Sequence, residues 1–267
     1  MKIANHTIAP ADALIVFSGD SHTAGQGASA LGDDRVPGLP APAGVTDRFH
    51  QRFPSSGVWL DQFSRFVRDR TGLSMTQFVN AGRGNHTMMD YIGEPFDAGA
   101  CQDGDKDCTD HLAEVLRLNP TLIILEPMII NDWFHGVPLS DTRSAFTRMI
   151  RRILAAGPDV IVIGPAPVIT ESTPFDYKQH PEFLTKPPLP DNVRGQGRYE
   201  DYYDIIQSVC LQHQIFFLHT VDYFQYRFRR VDHRNWTTGV DAGRIHVNQH
   251  GHDLYYEALL QTVSDYG

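Results

Sequence analysis

Short apolar runs alternate with longer amphipathic stretches along most of the chain. Apolar runs of strand length predict buried β-strands at 13–17, 78–79, 121–125, 160–165 and 215–218. Apolar residues spaced three and four apart predict helices at 58–71, 111–118, 140–156, 202–213 and 248–263. This alternation predicts an α/β fold, in which parallel βαβ units build a mostly parallel five-stranded sheet with helices on both faces.

Two long stretches lack periodicity and are expected to be loop excursions. Residues 24–56 are rich in Gly, Ala and Pro, and residues 171–199 combine prolines with polar residues. Long loops without structure of their own are often functional. Residues up to about 12 are expected to be a lead-in. Neither a repeat nor a domain boundary is visible, so we predict a single domain over residues 1–267.

Composition narrows the possible partners. The 267 residues are 41% hydrophobic, which is enough for a sizeable core, and the net charge is -9. This charge argues against nucleic acid or an anionic membrane as the main partner. No secretory signal pattern is visible, so a cytoplasmic location is expected. Cys101, Cys108 and Cys210 predict free thiols in a reducing compartment, although the first two could pair under oxidation.

One acidic segment partly resembles a calcium-binding loop. Asp103, Asp105 and Asp107 alternate, and Glu114 stands at the twelfth position. The glycine required at the sixth position is replaced by Cys108. A solvated acidic loop is therefore favoured over a calcium site.

The first predicted strand ends in Gly19-Asp20-Ser21. Ligands of open α/β sheets bind at the carboxyl ends of the strands, so Ser21 could be a nucleophile there. Its own backbone N–H could then stabilise an oxyanion. The tripeptide is also typical of an ordinary turn, and its significance depends on the rest of the chain.

Three further polar motifs should share that edge of the sheet. Gly82–Asn85 and Asn131 follow predicted strands, and His246 precedes the last predicted helix. Serine needs an adjacent base to become a nucleophile, and histidine can supply it. Backbone N–H groups and an Asn amide can stabilise the oxyanion, and a carboxylate such as Asp241 could hold the imidazole tautomer.

These blocks resemble those of the SGNH (GDSL) hydrolases. The matching blocks, in the family's order, are Gly19-Asp20-Ser21, Asn80-Ala81-Gly82-Arg83-Gly84, Asn131-Asp132 and the block from His246 to His252. The resemblance implies a flavodoxin-like three-layer α/β/α sandwich and esterase activity. It implies neither a metal nor an organic cofactor.

The resemblance also implies roles for individual residues. Ser21 would be the nucleophile and His246 the general base. The oxyanion hole would combine the Ser21 N–H, a second-block N–H and the Asn131 side chain. We assign the second-block N–H to Gly84. Asn85 is the alternative, because it stands where the family usually has its oxyanion glycine.

The chain departs from the family pattern at two further places. Gly243 occupies the usual position of the catalytic aspartate, and Asp241 lies two residues further back. Asp241 is the preferred partner of His246, with Asp232 or a backbone carbonyl as alternatives. Ile129 replaces a family glycine two residues before the asparagine, which would reshape the approach to that side chain.

We therefore predict a serine esterase that acts on short acyl esters of a small molecule or carbohydrate, with O-acetyl sugars as one candidate. The alternatives are a glycan-binding accessory protein with little turnover and a lipase or thioesterase of the same family. The absence of a long apolar lid pattern disfavours a long-chain lipase. Trp133 and His86 are candidate substrate-binding residues. Core packing for Trp133 and a surface position for His86 are the alternatives.

Overall fold

The computed structural model describes residues 1–8, 13–25, 57–96, 109–168, 170–172, 189–224, 246–247 and 249–264. Several predictions fall outside these ranges. They concern Asp232, Asp241, Gly243, Cys101, Cys108, the acidic segment 103–107 and most of the two loop excursions.

Eight strands and eight α-helices are described. The strands are β1 (Lys2–Ile3), β2 (His6–Thr7), β3 (Ile15–Gly19), β4 (Phe78–Gly82), β5 (Leu122–Leu125), β6 (Asp159–Ile163), β7 (Phe216–Leu218) and β8 (Val263–Ser264). The helices are α1 (Ser21–Ala24), α2 (Trp59–Thr71), α3 (Met88–Tyr91), α4 (His111–Arg117), α5 (Ile129–His135), α6 (Leu139–Ala156), α7 (Tyr199–Gln212) and α8 (Gln249–Leu260). A 3₁₀ turn, Met75–Gln77, precedes β4.

The main sheet contains five parallel strands in the order β4-β3-β5-β6-β7. This confirms the predicted α/β class and five-stranded sheet, and the order is that of flavodoxin-like folds. The chain leaves β3 to form β4 on one side, then returns to form β5 on the other. Ligands of such folds bind at this change of direction, outside the carboxyl ends of the strands.

Both faces of the sheet are buried. Ile15 and Phe17 of β3 pack with helices α2 and α8, whereas Val16 packs on the opposite face with α6 and α7. Every residue of β3 is buried, which explains why the strand is a continuous apolar run rather than an alternating one. A layer of helices therefore covers each face of the sheet.

The structure differs from the prediction at two places and shows an additional helix at a third. The expected lead-in forms β1 and β2, and β1 also pairs with β8 near the end of the chain. Ser21 begins the short helix α1 instead of lying in a loop. Residues after β5 turn into helix α5, whose first residue is Ile129. In the described part of the chain, helices are too short or too polar to span a membrane.

Candidate active site

The carboxyl end of β3 turns at once into helix α1. The side chain of Asp20 caps this helix, because its Oδ1 accepts a hydrogen bond from the His22 N–H at 2.9 Å. Ser21 is the first residue of the helix and is 6% exposed. A short local motif therefore fixes the backbone of the predicted nucleophile.

Two glycines allow α1 to lie against the sheet. A Cβ at Gly19 would come under 3.0 Å from the Thr23 side chain and from Glu126 Cβ. A Cβ at Gly82 would come equally close to the backbone of Thr23 and Ala24. Neither neighbour could give way cheaply, so both positions require glycine for close approach rather than for flexibility.

The turn after β4 is held by several hydrogen bonds. The Arg83 N–H donates to Gly19 O at 2.8 Å, and His86 Nδ1 donates to Gly84 O at the same distance. Asn85 has φ of 60°. Asn tolerates this left-handed region better than most residues, so it can replace glycine here.

Three backbone N–H groups at this edge have no hydrogen-bond partner in the described part of the chain. They belong to Ser21, Gly84 and Asn85. Free N–H groups next to a nucleophile are what an oxyanion hole requires. Both candidates for the second N–H remain available, so the choice between Gly84 and Asn85 stays a prediction.

Asn131 joins this turn from helix α5. Its Nδ2 donates to His86 O at 2.9 Å, and the side chain is buried to 8% exposure. This bond orients the amide and uses one of its two hydrogens. The second hydrogen is the one that the predicted oxyanion contact would use. Ile129 is buried in the core at the start of α5, and its effect on the approach to the amide stays a prediction.

His246 reaches the site from the far end of the chain. Its ring meets the His22 ring with centroids 5.8 Å apart and planes at 85°. The Ser21 hydroxyl forms no hydrogen bond with any described residue, His246 included. Catalytic hydrogen bonds are often loose without substrate, and the pairing of Ser21 with His246 stays a prediction.

A buried polar cluster lies directly behind α1. His22 Nδ1 is 3.2 Å from Glu126 Oε1 and 3.6 Å from Asp20 Oδ1. Glu126 also accepts hydrogen bonds from the Thr23 hydroxyl at 2.5 Å and from the Tyr255 hydroxyl at 2.7 Å. The sequence analysis did not identify Glu126 or Tyr255, because neither belongs to a recognisable motif.

The net pKa shifts of the two carboxyl groups are in opposite directions. Burial raises the pKa of Asp20 to about 7, and the charge of Glu126 adds to the rise. Burial also acts to raise the pKa of Glu126. Hydrogen bonds from His22, Thr23 and Tyr255, with the charge of His22, outweigh that effect and lower it overall. Asp20 Oδ2 is buried and has no hydrogen-bond partner among the described residues.

Asp20, His22 and Glu126 have the spacing of a possible metal site, with ligand atoms within 4.8 Å of one another. Both carboxylate oxygens of Glu126 already accept hydrogen bonds from protein donors. These donors compensate the buried charge as a cation would. We therefore interpret the cluster as a hydrogen-bond network.

The two predicted substrate-binding side chains are both buried. Trp133 packs in the core against Tyr199, with ring centroids 5.8 Å apart. His86 packs against His111, with centroids 4.9 Å apart. The surface alternative for His86 is therefore wrong, because the residue is fully buried. A contact of either residue with substrate stays a prediction.

The fold and the polar groups at its carboxyl edge are those expected of a serine hydrolase of the α/β class. A model of the GDSL-like lipase/acylhydrolase family matches residues 17–254. The chain belongs to this family, and it is an esterase of the SGNH type. This confirms the resemblance carried by the four sequence blocks. A search of curated proteins finds no match.

Solved structures of several hydrolases share the fold. A lipase/acylhydrolase from Enterococcus faecalis is 18% identical, with 94% of each chain covered and a TM-score of 0.55. An acetylxylan esterase from Geobacillus stearothermophilus is 15% identical, with 96% of each chain covered and a TM-score of 0.58. An α/β hydrolase from the metagenome of Lake Arreo, Spain, is 16% identical. The match covers 95% of this chain and 96% of that one, with a TM-score of 0.57.

Proposed function

We propose that the protein hydrolyses short acyl esters, with O-acetyl groups on a carbohydrate as the preferred class, through an acyl-enzyme on Ser21. One observation carries this proposal. The free N–H groups of Ser21, Gly84 and Asn85 and the oriented amide of Asn131 belong to contacting segments at one edge of the sheet. Such donors serve a substrate that develops negative charge on oxygen.

The acylation step uses the serine as nucleophile. Ser21 Oγ attacks the ester carbonyl carbon while His246 takes the hydroxyl proton. The carbonyl oxygen becomes an oxyanion, which accepts hydrogen bonds from the Ser21 N–H, a turn N–H and Asn131 Nδ2. The intermediate collapses, the C–O bond to the alcohol breaks, and His246 returns the proton to the leaving oxygen.

In the deacylation step water is the nucleophile and Ser21 Oγ is the leaving group. His246 removes a proton from water as the water oxygen attacks the acyl carbon. The same donors stabilise the second oxyanion. The bond to Ser21 Oγ breaks, the serine recovers a proton from His246, and the carboxylic acid leaves. Asp241 would hold the His246 tautomer through both steps.

The short-acyl preference has two supports. The sequence has no long apolar lid pattern of the kind that would bind a long acyl chain. The acetylxylan esterase from Geobacillus stearothermophilus shares the fold over 96% of both chains. Fold alone does not fix a substrate, so the substrate class needs a direct test.

A series of p-nitrophenyl esters beside acetylated xylo-oligosaccharides tests the proposal. We expect kcat/KM to fall by about tenfold or more from acetate to octanoate, because a pocket for a small group excludes added methylenes. We also expect acetate release from the sugar. A preference for octanoate would instead indicate a lipase. Binding of the acetylated sugar without turnover would favour the glycan-binding alternative.

A further inference from the structure

Glu126 connects both ends of the proposed catalytic machinery. It follows β5 at the carboxyl edge of the sheet and is fully buried. His22 and Thr23, which donate to it, belong to the helix that starts with Ser21. Tyr255, its third donor, belongs to α8, the helix that follows His246. One side chain therefore joins the segments that carry the nucleophile and the base.

We propose that Glu126 is a positioning residue for this esterase: it orients the His22 ring, and His22 in turn supports the ring of His246. The inference rests on the proposed role of His246 as general base. Beside the proposed Asp241–His246 pair, it adds a second carboxylate–imidazole pair. The carboxylate of this pair lies directly after β5 rather than in the segment before His246.

The hydrogen-bond chemistry fixes the orientation of the His22 ring. An ionised carboxylate only accepts hydrogen bonds, so Nδ1 of His22 must carry the hydrogen that faces Glu126. The lowered pKa of Glu126 keeps this carboxylate ionised. A fixed ring then meets His246 edge to face at 5.8 Å, which is a favourable distance for two aromatic rings.

Tyr255 fixes the same geometry from the other side. Its hydroxyl donates to Glu126 Oε1, and its ring stacks on Trp59 with centroids 5.8 Å apart. It also lies 6.3 Å from the His22 ring. Helix α8 is therefore anchored where it passes the cluster, and the chain entering α8 is the chain that contains His246.

Stability alone is a poor explanation for this cluster. Burying charged groups costs desolvation free energy, and well-packed apolar residues often serve stability as well or better. The groups that face Glu126 are His22, Thr23 and Tyr255 as donors, and Asp20 as a second carboxyl group. The charge of Glu126 also contributes to the raised pKa of Tyr199. Clusters with such shifted pKa values are typical of functional sites.

The central test is Glu126→Gln, which keeps the shape of the side chain but removes its charge. The amide can present N–H to His22, and the His22 tautomer is then no longer enforced. We expect kcat for p-nitrophenyl acetate to fall by about 10- to 100-fold, as small misplacements of catalytic groups do. KM should change by less than about threefold, because Glu126 does not contact the substrate.

A matched pair of variants separates positioning from general core damage. Tyr255→Phe removes a fully buried hydroxyl that donates to Glu126. Tyr202→Phe removes an equally buried hydroxyl that donates to Val137 O at 2.6 Å. We expect about a threefold loss of kcat from the first change and less than about twofold from the second. Equal effects would overturn the proposal.

Two further variants test whether Glu126 acts through His22 and whether His246 is the general base. Glu126→Gln should lower kcat by a smaller factor in a His22→Phe background than in the wild type. The His22 imidazole, through which Glu126 is proposed to act, is already absent in that background. An equal factor would show that Glu126 does not act through His22. His246→Ala tests the base itself. If that variant is inactive while Glu126→Gln keeps wild-type kcat, only the positioning proposal fails. If His246→Ala remains active, His246 is not the general base, and the proposed mechanism fails together with the positioning proposal that rests on it.

Discussion

The imidazole ring of His246 meets that of His22 edge to face, with centroids 5.8 Å apart and planes at 85°. His22 directly follows Ser21, and His246 comes just before the last helix, so two distant parts of the chain meet at the candidate site. The contact places the predicted base beside the helix of the predicted nucleophile. It also makes the buried partners of His22 relevant to the reaction.

Asn131→Ala tests the oxyanion contribution of the amide. We expect kcat for p-nitrophenyl acetate to fall by roughly 100- to 1000-fold with a smaller change in KM, because the lost hydrogen bond forms mainly in the transition state. The loss should not come from unfolding, which circular dichroism can check. A rise in KM with unchanged kcat would assign Asn131 to ground-state binding.

Asn85→Ala and Asn85→Gly test the turn that carries the second oxyanion donor. Both changes remove the contact of the Asn85 side chain with His135 Nε2 at 2.8 Å. Only alanine is strained at the φ of 60°. Urea unfolding should therefore show the alanine variant to be less stable than the glycine variant by about 1 kcal/mol. Equal stabilities would mean that the turn has a different conformation.

The pH dependence of stability tests the buried state of Asp20. Its pKa is raised to about 7 in the folded protein and is near 3.8 when unfolded. The folded state therefore holds the proton more tightly between these values. The stability that this group contributes is fully present below pH 4 and is lost as the pH rises to about 7.

Asp20→Asn should remove this dependence while keeping an acceptor for the His22 N–H. The free energy of unfolding of the wild type, relative to Asp20→Asn, should fall by about 3 kcal/mol between pH 5 and pH 8. Urea titrations of both proteins at both pH values measure the difference. Parallel pH profiles would show that Asp20 is ionised throughout.

Asp241→Asn tests the proposed partner of His246. Asp241 lies outside the described residues. An amide can favour the wrong imidazole tautomer, so we expect a loss of kcat approaching that of His246→Ala. If a backbone carbonyl orients the ring, the loss should stay below about tenfold. Asp232→Asn is the matched control. A large loss from this control alone would assign the role to Asp232.

The fold was largely predictable because a parallel sheet leaves a strong signal in sequence. Strands buried on both faces, such as β3 and β5, are continuous apolar runs separated by amphipathic helices. Strands β1 and β2 were missed because each has two residues and pairs in a sheet completed by β8. Pairing between the two ends of a chain has no local pattern.

The motifs around Ser21, the second-block turn, Asn131 and His246 were visible because each follows a predicted strand or precedes a helix. Glu126 was not visible. Its donors His22 and Tyr255 are 104 and 129 positions away, and only the tertiary fold brings them together. Burial of His22 and His86 was equally hidden, because a histidine in a loop motif usually indicates a surface position.

The central claim is that Ser21 is the nucleophile, and turnover of p-nitrophenyl acetate by Ser21→Ala tests it most directly. The matched control is Ser64→Ala, which removes another buried hydroxyl, one that donates to Leu60 O within helix α2. We predict that Ser21→Ala remains folded and loses turnover by several orders of magnitude, as loss of a catalytic serine does, while Ser64→Ala stays near the wild type. A folded Ser21→Ala variant with turnover close to that of the wild type would contradict the account.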